Sequence, residues 1–210
     1  MEESFIPHYN NYKSEKGGKY LTGNSYMKDP DHNFIGEPYS LYHTRFGQKI
    51  LLMGWLYNFT LEAANTNVMT VNEALLQPWF EQAMNEPNID MIIATMHIDP
   101  TTPPEMDQIY EAVRSYHPTI PFILFTGHRH ILYFEQLDPT SFTLESGKYF
   151  EVLGLVEFDL VNGQLENFSY DWYETSRDVS SEWHNVCTKW CRTFICWPTK
   201  QKKNSSQKKA

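Results

Sequence analysis

Cysteine is nearly absent: the 210-residue chain has three, Cys187, Cys191 and Cys196, all near its C-terminal end. No disulfide framework can hold the body together, so stability has to come from a packed core. Long hydrophobic runs are missing as well. None approaches the roughly 20 residues of a membrane-spanning helix, and MEESFIPHYNN at the start has no basic segment followed by an apolar one. From this we expect no transmembrane segment and a cytoplasmic protein, with a vacuolar or secreted location instead if the true N-terminus lies upstream. Positive charge is scarce too: 17 Lys and Arg stand against 26 Asp and Glu, a net charge of −9. That balance excludes a general nucleic-acid binder, which needs a basic face to displace counterions. Basic charge collects only in the ending, where Lys200, Lys202, Lys203, Lys208 and Lys209 occur with no acid among them.

What is present is a globular composition, 41% hydrophobic and 15% aromatic, enough for one domain with a real core. The most informative stretch is residues 120–130, IPFILFTGHRH. An apolar run of four bounded by Pro121 and Gly127 fits a central strand better than a helix, and His128 and His130 follow it. A second run, residues 89–96, stops in the same way at His97. Between the two, Thr102, Pro103 and Glu105 have capping-box spacing, and Met106, Ile109, Tyr110 and Val113 recur at helical intervals. A strand–helix–strand unit requires parallel strands, so both runs end at one edge of the sheet. His97, His128 and His130 then share the rim where open α/β sheets bind ligands, and neutral imidazole is the commonest metal ligand near neutral pH. Set against histidines that merely satisfy turn carbonyls, metal ligation is the reading we favour for this cluster.

Elsewhere, residues 40–45 and 49–55 read as a hairpin turning at Phe46-Gly47-Gln48. Pro78 reads as the first residue of a helix with Trp79, Phe80 and Ala83 on one face. Residues 131–137, 140–144, 149–152 and 155–160 read as short strands, and Asn162-Gly163 as the turn into another at 165–172. The fold class is therefore α/β, a parallel βαβ core with antiparallel strands beside it.

At Gly127-His128-Arg129-His130 and at the following LESGKYFEVLG, residues 144–154, the chain resembles a calcineurin-like metallophosphoesterase. The resemblance is to the fungal branch related to 5′-nucleotidases and described as serine/threonine phosphatase-like. It covers roughly residues 20–171, with His97 in ATMHID, Asp138, Ser141 and Glu151 as further matches. It implies two divalent cations, zinc, iron or manganese, with His97 and His128 on one and His130 on the other, and hydrolysis of a phosphoester substrate. The family's upstream D-x-H, G-D-x-x-D and G-N-H-[DE] motifs have no counterpart here. Gly23-Asn24-Ser25 lacks the histidine of the last and lies in the segment that normally follows it.

The resemblance thus implies a partial metallophosphoesterase fold over residues 1–175, its N-terminal half missing, with one metal ion or none bound and no catalytic residue of its own. Without the bridging carboxylate, nothing offsets the repulsion of two closely spaced cations. We also expect residues 49–55 or 89–96 to present an unpaired apolar edge, with marginal stability. Residues 176–210 are expected to be a non-homologous, disordered ending. Its His184, Cys187, Cys191 and Cys196 are alternatively a zinc site, and Trp183, Trp190, Phe194 and Trp197 an interfacial segment. Three functions follow: a truncated hydrolase inactive by itself, a hydrolase completed by another segment or chain, and a non-enzymatic remnant that binds a metal or a protein partner.

Overall fold

Side chains on a strand point alternately to the two faces of its sheet, so a strand apolar at every position is buried on both. The computed structural model describes residues 20–28, 34–62, 64–162 and 164–175. In it β1 (Ser25–Met27) is followed by β2 (Tyr39–His43), β3 (Lys49–Leu56) and β4 (Thr66–Val68). Helices α1 (Val71–Leu75) and α2 (Pro78–Met84) lead to β5 (Met91–His97), α3 (Glu105–Tyr116) and β6 (Phe122–Phe125). The chain continues through β7 (Leu132–Asp138), β8 (Ser141–Ser146), β9 (Val152–Val161) and β10 (Gln164–Glu174). The main sheet has the order β2-β3-β5-β6-β8-β7, and the β3–β5, β5–β6 and β6–β8 pairs are parallel.

Both faces of that sheet are covered. Leu51, Met53, Ile92, Ala94, Phe122 and Leu124 point to one side, where they pack on Val71, Phe80, Ala83, Ile109 and Val113 of the three helices. Met91, Ile123, Phe142 and Leu144 point to the other, beneath Val156, Phe158, Leu165 and Trp172 of the β9–β10 ribbon. The expected parallel βαβ core and its antiparallel neighbours are therefore present.

Three expectations need correction. Neither residues 49–55 nor 89–96 form an edge: β3 lies between β2 and β5, and β5 between β3 and β6. The hairpin partner provides the cover, since β2 pairs antiparallel with β3 from Tyr39–Met53 to His43–Lys49. Thr102 does not cap α3, which starts at Glu105 with no side-chain cap. Asp99 takes the nearby hydroxyl and backbone groups instead, accepting from the backbone N–H and Oγ1 of Thr101. The capping box that does form is Thr70–Glu73, at the start of α1. Finally, residues 149–151 do not begin a strand, because Tyr149 and Phe150 are left-handed, with φ of 53° and 61°.

Polar side chains fasten the layers where backbone ladders cannot. Arg114 on α3 donates through Nε and Nη2 to Asp138 at 2.7 and 3.2 Å, and Tyr110 Oη donates to the same carboxylate at 2.7 Å. Asn24, fully buried, donates to the carbonyls of Leu56 and Met69 and accepts from the Leu56 N–H. All three of these bonds are made to backbone, so this asparagine serves to tie the layers together. All packing described here belongs to the unit that ends at Tyr173. The zinc and interfacial alternatives for residues 176–210 lie outside the described residues. Among the described residues no helix is long and apolar enough to cross a membrane.

Candidate metal centre

Parallel register carries the ends of three strands to one rim. Leu56 pairs with His97 and Thr95 with Phe125, so Tyr57, His97 and the Gly127–His130 turn emerge together. Backbone bonds fix the emergence: the Tyr57 N–H donates to the His97 carbonyl at 3.1 Å, and the Gly127 N–H to that of Ile98 at 3.3 Å. On the far side, the Thr126 N–H donates to the Leu144 carbonyl at 2.9 Å.

The side chains meet accordingly. His97 Nε2 and His128 Nδ1 lie 3.2 Å apart. Two nitrogens each about 2.0–2.1 Å from one tetrahedral cation are separated by about 3.3 Å, so the pair is spaced as two ligands of a single ion. Burial, and then the charges of His128 and His130, push the His97 imidazole below its ordinary pKa and keep its lone pair available near neutral pH. The Tyr57 ring packs on both imidazoles, with centroids 4.3 Å from His128 and 5.8 Å from His97. A mainly apolar cavity of about 310 Å³, lined by Ile35, Trp55, Tyr57, Phe59 and Val68, borders His97.

His130 stands on the same rim but outside this contact, its ring 6.0 Å from that of Tyr149. Among the described residues no group of three or more His, Cys, Asp or Glu side chains is arranged to hold a metal ion. The structure thus brings His97 and His128 together and sets His130 apart. Arg129, between the two turn histidines, pairs with Asp99 at 3.5 Å.

The turn itself is unusual. His128 and His130 have φ of 95° and 62°, a region that costs residues with a Cβ about 1–3 kcal/mol each and persists only where surroundings enforce it. Glu145 on β8, 1% exposed, meets this turn: its Oε1 accepts from the backbone N–H of His130 at 2.5 Å and of Ile131 at 3.4 Å. Beside it, the Gly147 N–H donates to the Ile131 carbonyl at 2.8 Å. Sequence reasoning overlooked Tyr57 and the role of Glu145. The signal for Tyr57 was its place just beyond the apolar run of β3; for Glu145 it was an acid inside an otherwise buried strand.

No family model matches the chain. An uncharacterized protein of Schizosaccharomyces pombe, C1039.02, is 31% identical over 159 residues, 75% of this chain and 25% of that one. A protein of Arthroderma benhamiae named "Secreted protein" is 27% identical over 161 residues, 73% of this chain and 24% of that one. The chain therefore spans about a quarter of the length of the curated relatives it matches. Among solved structures, 5′-nucleotidase from Candida albicans superposes with a TM-score of 0.75 at 25% identity, over 85% of this chain and 34% of that one. This chain is similar to fungal proteins of greater length and carries a nucleotidase-like α/β fold, of which it holds a part.

Proposed function

We infer that the chain is part of a divalent-metal-dependent phosphoester hydrolase, in which His97 and His128 bind one cation and His130 contributes to a second. The observation that carries this is the 3.2 Å imidazole pair at the carboxyl edge of a parallel sheet, in a fold shared with a solved 5′-nucleotidase. A bound divalent cation supplies Lewis-acid polarisation of a phosphoryl oxygen and a water acidic enough to attack near neutral pH. The chain's own contribution is to hold two imidazoles at the right separation, against the Tyr57 ring.

By itself the chain binds one cation and does not turn over. Two imidazoles satisfy half a tetrahedral site, and no carboxylate joins them among the described residues. Its share of the relatives' length favours a second reading, in which further polypeptide supplies the remaining ligands and restores hydrolysis. Metal content measured together with phosphate release from a simple phosphoester tests the first: one cation without turnover supports it, and two cations with turnover from this chain alone contradict it. Turnover that arises only when longer polypeptide is present supports the second. Location is tested by fractionation, with the cytosolic and secreted fractions compared.

A further inference from the structure

We propose that Glu145 is a positioning residue that couples the shape of the Gly127–His130 turn to cation capture by His97 and His128. This deepens the metal-centre reading and rests on it. Glu145 is among the largest fully buried side chains, and no ion pair engages it among the described residues. Its Oε1 is used twice, on the N–H groups of His130 and Ile131, while Oε2 is buried with no hydrogen-bond partner. A buried carboxylate with no cation beside it and one bare oxygen is costly, and a native chain rarely keeps one for packing alone. Glutamate reaches from the middle strand of the β6-β8-β7 group to the turn after β6, where its Oε1 takes the His130 N–H. Holding that N–H keeps His130 left-handed. With Gly127 tied to Ile98 on the other side, the two anchors leave His128 one disposition, in contact with His97. Outer groups of this kind orient ligands, and losing one typically lowers metal affinity roughly 10- to 100-fold.

The test is a zinc titration of the full chain and its Glu145 variants by calorimetry at a temperature where circular dichroism shows each to be folded. Glu145→Ala is expected to bind zinc roughly 10- to 100-fold more weakly, whereas Glu145→Gln, which keeps a carbonyl acceptor in place, stays within about threefold of the wild type. In the metal-free protein the His130 amide is expected to exchange slowly in the wild type and fast in Glu145→Ala. A merely structural role would lower thermal stability and leave affinity in the folded state unchanged, and that result overturns the proposal. So does a Glu145→Gln chain as weak as Glu145→Ala. If Glu145→Ala does not fold, Glu145→Asp takes its place, since a carboxylate one methylene short cannot reach the turn; unchanged affinity there counts against the brace. Should the wild type bind no zinc, the metal-centre reading fails by itself, and amide exchange still decides whether Glu145 sets the turn.

Discussion

Replacing Asp138 tests the packing logic more sharply than any core truncation. The carboxylate accepts from Tyr110 Oη, Arg114 Nε and Nη2, and the Thr140 backbone N–H and Oγ1, at 2.6 to 3.2 Å. The side chains of Arg114 and Asp138 are only 11% and 21% exposed. Removing one partner of a buried ion pair costs about 3–5 kcal/mol. Arg114 keeps two carbonyl partners, His117 and Ile120, and Asp138 is partly solvated, so about 2–3 kcal/mol is the expected loss for Asp138→Ala. In a chain of this size that lowers the melting temperature by about 4–12 °C. Burial pushes the Asp138 carboxyl up, but the hydrogen bond from Tyr110, the Thr140 N–H and Arg114 together outweigh it and hold its pKa well below the usual carboxylate range. A folded-state pKa depressed in this way contributes stability that is present above the unfolded value, about 4, and is lost as pH falls below it. The gap in urea stability between wild type and Asp138→Asn is therefore expected at pH 7 and should close progressively below about pH 4. A gap that is constant down to pH 3, or an Asp138→Ala melting temperature within 1 °C of the wild type, would refute the reasoning.

Two further outcomes follow from the structure. Asn24→Ala leaves the Leu56 N–H and two partly buried carbonyls without this partner and is expected to cost about 3 kcal/mol in urea denaturation; a loss under about 0.5 kcal/mol would show that water replaces the side chain. Tyr57→Ala removes the ring that packs on both imidazoles and should weaken zinc binding roughly tenfold while Tyr57→Phe does not; equal losses in the two would assign the effect to the hydroxyl instead.

The parallel core was legible because its strands are short apolar runs ending in punctuation, and because a helix between them forces their direction. Reading Trp79, Phe80 and Ala83 as one buried face succeeded for the same reason: Pro78 fixes the helix start and the period does the rest. Local signals failed where a tertiary partner competed. The Thr102 cap lost to Asp99, and the supposed edge at β3 was covered by the hairpin that the sequence itself announced. The site was half legible. A strand's end can be placed from sequence, but the direction an imidazole takes depends on the left-handed turn beyond it. That turn is set by a carboxylate fifteen residues on, which no periodicity reports.

The most direct measurement is zinc stoichiometry and affinity for the wild-type chain against the His97→Ala/His128→Ala double variant. Taking the difference between them cancels any zinc held by Cys187, Cys191 and Cys196. One equivalent present in the wild type and missing from the double variant is the predicted result; identical binding curves for the two chains would contradict the account.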